Sequence, residues 1–190
     1  MGRATVDVAP REIIDAVDRA SRVHGCAVSD AHRVAADVCY CEIHHGRGLA
    51  AWIRLVDDEP GRLAAAVCAA RELDRAAVEL SQGEPAVVHW APPIPGALVF
   101  RTVAAIAGRG VAAGPCDDAD GATLFEQLEL VAAEPITEPA QTAARSADAL
   151  THGITVDRDD WRRVEREARG FLTPSADLDA ADEKGPRPCP

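Results

Sequence analysis

Helix-periodic segments closed by glycine fill most of the first eighty residues, and no other feature limits the possible folds as tightly. "APREIIDAVDRASRVHG" opens with Pro10 in its first turn and stops at Gly25, with Ile13, Val17 and Ala20 at helical spacing. "SDAHRVAADVCYCEIHHG" predicts a second helix with Ser29 as its N-cap and Gly46 as its stop. "LAAWIRLVDD" predicts a short third helix. "PGRLAAAVCAARELDRAAVELSQG" predicts one long fourth helix with Leu63, Val67, Ala70, Leu73, Ala77 and Leu80 along a stripe. Each helix has an apolar face that must be buried. Apolar residues make up 47% of the chain but aromatics only 4%, so the core should consist of small side chains on closely packed helices.

The pattern then changes. "PAVVHWAPPIPG" predicts a strand over Val87–Trp90, ended by prolines. "GALVFRTVAAIAGRG" predicts a helix closed by Gly108, and "GPCDDADG" a loop. In "TLFEQLELVA" both faces of the alternation are mixed, which predicts an edge or interface strand. "EPITEP" is a linker and "AQTAARSADALTHG" a helix. In "VDRDDWRRVEREARGFL", Asp157 is the expected N-cap, and Asp160 suits the positive end of the helix dipole. The expected fold is α+β and helix-dominated, its N-terminal helices packed with a small mixed sheet. A single domain over 1–172 is expected, followed by a Pro/Asp/Ala-rich tail over 173–190 expected to be disordered.

Charge and composition exclude several chemistries. The net charge is −11, and no Arg cluster lacks interleaved acids, so neither nucleic acid nor an anionic membrane surface is an expected partner. No apolar run approaches about 18 residues, so no span is expected. "MGRATVDVAPREIIDAVDRA" lacks an apolar signal region, and Val6 stands where a myristoylation signal has Ser or Thr. The expected location is the cytoplasm. The six cysteines form no CxxC and are expected as free thiols, with Cys39, Cys41 and Cys68 acting as small hydrophobes on helices. Lys184, in the tail, is the only lysine, and there is no asparagine. A Schiff-base lysine, a P-loop lysine and a kinase-type site are therefore excluded from the fold.

"CYCEIHHGRG", Cys39 to Gly48, places two cysteines, a glutamate and two histidines close together. On a helix they point in several directions. Val34, Val38, Cys41 and His45 share one row, while Cys39 leaves it. Tetrahedral zinc needs four ligands, and this segment supplies two at most, so no metal is expected. Cys41 is expected in the core. His45 is expected at the helix end, where a protonated imidazole suits the dipole. His45 with Glu42 is a candidate acid–base pair. "AGRGVAAG" follows a helix rather than a strand, so it is expected as a cap and turn, not a dinucleotide loop, and no cofactor is expected. In "PAVVHWAPPIPGAL" a strand end meets a helix start, so His89, Trp90 and Arg101 could line a substrate pocket, with His89 as a second candidate base. "CDDADG" fails as a calcium loop, because position twelve is Leu128.

Two segments, "REIIDAVDRASRVHGCAVSDAHRVAADVCYCEIHHGRGLAAW" and "LTHGITVDRDDWRRVEREARGFLTPSA", resemble an uncharacterised bacterial domain-of-unknown-function family. Trp161 and Pro174-Ser175 match its C-terminal pattern, whereas its Gly-rich end is replaced here by "ADLDAADEKGPRPCP". That departure implies a paralogue that has become a partner subunit. The leading expectation is a small subunit of a heteromeric enzyme of specialised small-molecule biosynthesis. Its partner would be a homologous or neighbouring-gene protein and its substrate a small molecule. The alternatives are a self-sufficient homo-oligomeric His/carboxylate enzyme and a non-catalytic regulator or scaffold.

Overall fold

The computed structural model describes residues 4–58, 61–80, 84–116, 119–137 and 139–171. The expected tail over 173–190 lies outside them. The chain runs β1 (Thr5–Val8), α1 (Pro10–Val23), α2 (Val28–His44), α3 (Gly48–Asp57), α4 (Arg62–Ala66), α5 (Ala69–Glu79), β2 (Ala86–Pro95), a 3-10 turn (Gly96–Leu98), α6 (Phe100–Ala107), β3 (Val111–Gly114), β4 (Leu124–Ala132), α7 (Ala140–His152), β5 (Ile154–Asp157) and α8 (Arg158–Gly170). The fold is α+β and helix-dominated.

The core extends from the junction of α1, α2, α3 and α8 to Leu73, Ile106, Leu128 and Leu130 under a three-stranded sheet and its helices. Ile13, Val17, Val34, Val38, Leu49, Trp52 and Val164 are fully enclosed at that junction or nearly so. The Trp52 indole N–H donates to the buried Ser21 hydroxyl at 3.0 Å, so neither polar group is left unsatisfied. The α8 N-terminus is capped as the sequence predicts: the Asp157 carboxylate accepts from the Asp159 and Asp160 amides at 2.9 and 3.1 Å.

The expected small sheet is divided into two, and its pairing is antiparallel rather than mixed. β1 pairs with β5, and β2, β4 and β3 form a three-stranded sheet in that order. β2 and β3 run the same way, joined through α6, with β4 inserted between them. β4 is therefore the central strand, not an edge. Its mixed faces reflect an irregularity in its pairing. Between the His89–Gln127 and Ile94–Phe125 pairs the register shifts, and the buried side moves from Phe125 to Leu128 and Leu130. The prolines do not end β2, because β2 is an edge strand whose outer amides have no ladder partner to lose.

Three local expectations change. α2 begins two residues earlier than expected, with Ala27 rather than Ser29 at the N-cap. The long fourth helix breaks at Val67–Cys68 into α4 and α5. Cys68 is consequently exposed at the break instead of acting as a small hydrophobe. α6 closes at Gly108 as expected, and the chain then turns through left-handed Gly110 directly into β3.

Candidate functional site

The C-terminal end of α2 unwinds into a tight corner. The His45 and Gly46 amides both donate to the Cys41 carbonyl at 2.8 Å. Gly46 and Arg47 then take left-handed backbone, φ 74° and 60°. Arg47 is not a glycine, so it carries strain there, and its guanidinium is tied to Asp120 at 3.1 Å. The Glu42 carboxylate accepts the Leu49 amide at 2.7 Å and also takes backbone bonds from Arg47 and Gly48, so it caps α3 from the preceding helix. Burial pushes its carboxyl above the usual range, partly offset by those donors. Glu42 is thus a structural cap and is not paired with His45.

His45 lies across from this corner. Its ring packs against Phe100, with centroids 4.3 Å apart, and lies 6.1 Å from Tyr40. A ring nitrogen donates to the Ala119 carbonyl. In a neutral imidazole the remaining nitrogen is then an acceptor. Desolvation, together with the neighbouring His44 and Arg145, holds its pKa below the ordinary value. Burial and the two nearby basic groups thus act against the protonated imidazole expected at the helix end.

His45 borders a cleft of about 600 Å³ between the end of α2, α6, the chain at Ile136 and Pro139, and α7. Phe100, Val103 and Ile136 form its apolar surface, while Tyr40, His44, Arg101 and Arg145 reach it from three helices. The Tyr40 and His44 rings lie 4.4 Å apart with their planes tilted by 47°, and Arg145 donates to the His44 carbonyl at 2.9 Å. Arg101 is fixed from below: its Nε donates to Asp37 at 2.5 Å, and Asp37 is only 3% exposed. Such an apolar hollow with a few converging polar groups has the form of a small-ligand site.

No family model matches the chain, and neither does any curated protein or solved structure.

The remaining predicted residues lie elsewhere. His89 and Trp90 border a separate, smaller depression of about 190 Å³ between α4, α5 and β2. His89 is exposed, whereas Trp90 is buried and donates its indole N–H to Glu72 at 2.9 Å. Arg101 does not line that depression, so the expected His89–Trp90–Arg101 pocket is divided. Strand alternation turns His89 outward and Trp90 inward, and α6 carries Arg101 to the other side.

Among the described residues no group of three or more His, Cys, Asp or Glu is placed to hold a metal ion. Cys39 and Cys41 are both buried, facing the Pro10 and Gly46 carbonyls at 3.6 and 3.5 Å. Burial pushes the Cys39 thiol up to about 11 and the Cys41 thiol higher still, so neither is a nucleophile at neutral pH. Sequence reasoning missed Tyr40, His44 and Arg145 as site residues. A local signal existed for the first two, one turn apart on α2. Arg145 lies a hundred residues further on, and nothing in its own segment distinguishes it.

Proposed function

We propose that this chain is the small subunit of a heteromeric enzyme of specialised small-molecule biosynthesis, and that the α2–α6–α7 cleft is its share of the active site. The supporting observation is a ligand-shaped cleft whose catalytic set is incomplete among the described residues. His45 is a neutral base with a fixed tautomer, yet the carboxylate nearest in sequence, Glu42, is held by α3. A partner subunit would supply the missing orienting or acidic group. The test is the native mass of the chain, purified alone and after co-expression with the products of its flanking genes. A defined complex with one of them is expected, with activity only in the complex. A stable homomer that turns over substrate unaided would reject this reading.

One observation favours a self-sufficient His enzyme instead: the His45 proton is already placed by the Ala119 carbonyl without help from any second chain. Under that reading His45→Ala abolishes turnover by the isolated chain, while His89→Ala leaves it unchanged.

Among the described residues no helix is long and apolar enough to cross a membrane.

A further inference from the structure

The described charged side chains on the cleft wall, Arg101 and Arg145, are both cationic, while His45 is held towards its neutral form. Acids outnumber Lys and Arg by 31 to 20 in the chain, yet the ionisable side chains on the cleft wall include Arg101, Arg145, His44 and His45, and no described acid. Asp37 answers Arg101 from beneath the wall. Arg145 differs from Arg101: it donates to the His44 carbonyl, and no ion pair among the described residues engages its guanidinium. A concave, partly apolar surface of one sign concentrates ligands of the opposite sign. The rest of the wall is made of rings. His45 packs against Phe100 and His44 against Tyr40, with centroids 4.3 and 4.4 Å apart and ring planes tilted by 30° and 47°. Ring walls of this kind favour a flat, π-faced ligand body.

We infer that the cleft binds a small planar carboxylate, its flat body against the His45–Phe100 and Tyr40–His44 rings and its anionic end on Arg145. This names the substrate class of the proposed subunit's site and rests on that reading for its role in catalysis, though not for binding itself. Guanidinium and carboxylate match as a planar fork, which an amide of the same shape cannot reproduce.

The probes are benzoate and its neutral analogue benzamide, titrated calorimetrically into the full chain alone and into the complex with a flanking-gene product where one forms. Benzoate is expected to bind up to about fivefold more tightly than benzamide, the yield of one partly exposed charge pair. Arg145→Gln is expected to remove that ratio and leave benzamide affinity unchanged, and Arg145→Lys to retain part of it. Equal affinities, binding of neither probe in either form, or a ratio that survives Arg145→Gln would overturn the inference. So would an equal loss of both probes in Arg145→Gln, because Arg145 would then hold α7 in place rather than recognise the ligand. Carboxylate preference in a chain that forms no complex would sink the subunit reading and leave this one standing. A complex without the preference would do the reverse.

Discussion

Two carboxylates of α2, Asp37 and Glu42, face unlike surroundings. Asp37 is enclosed, and burial pushes its pKa up to about 6 despite the Arg101 bond and the nearby Arg33. Its folded pKa thus lies above the ordinary 3.8, so the native state holds this proton more tightly than the unfolded chain does. Its contribution to stability is greatest at acidic pH, falls as pH rises from about 3.8 to about 6, and is constant above that. The loss is on the order of 3 kcal/mol at most. Urea midpoints of wild type and Asp37→Asn, measured across that window, should therefore converge or cross as pH rises; superimposable profiles would show that burial does not shift this group. Glu42 acts as an acceptor for backbone amides. Glu42→Ala should cost about 1–2 kcal/mol in urea unfolding, and Glu42→Gln, which keeps an acceptor oxygen, clearly less. Equal losses would mean that charge, not hydrogen bonding, holds the start of α3.

At the level of elements, legibility followed locality. α1 and α8 were readable because their signals are internal: Pro10 at the first turn, Ile13 and Val17 one turn apart, Asp157 at the cap. Asp157→Ala should cost about 1 kcal/mol, seen as a lowered urea midpoint with an unchanged slope. β1 and β3 were not legible. Each has four residues, too few to display alternation, and β1 finds its partner only at β5. The candidate site divides in the same way. His45 stood out in its own helix, whereas the cleft around it needs α6 and α7, which the sequence gives no reason to bring to the end of α2. The α2–α3 corner also depends on a contact that no pattern reveals. A Cβ at Gly48 would lie 2.5 Å from the Val38 carbonyl oxygen, so helix backbones meet there without a side chain between them. Gly48→Ala should destabilise the protein by about 1–3 kcal/mol, and a neutral effect in thermal unfolding would mean that the corner can open freely.

The molecule as a whole is unevenly consolidated. α7 buries only Ala149, and Leu150 on the same helix is 77% exposed, whereas α2 is enclosed along much of its length. A helix draws most of its stability from packing, so α7 should exchange its amide hydrogens well before α1 or α2 in deuterium-exchange mass spectrometry. Binding of a ligand or partner at the cleft should slow it. Protection of α7 equal to that of α2 in the isolated chain would contradict this gradient. The opposite end of the fold is fastened differently. β1 is hydrogen-bonded to β5 from Thr5–Asp157 to Val8–Ile154, and α1 packs on α8. During synthesis the ribosome therefore releases a first strand that must wait for almost the whole described chain before its partner emerges. The N-terminal helices can pack on one another as they emerge, since α1 lies on α2, but β1 and the α8-facing side of α1 stay uncovered until residues 154–170 arrive.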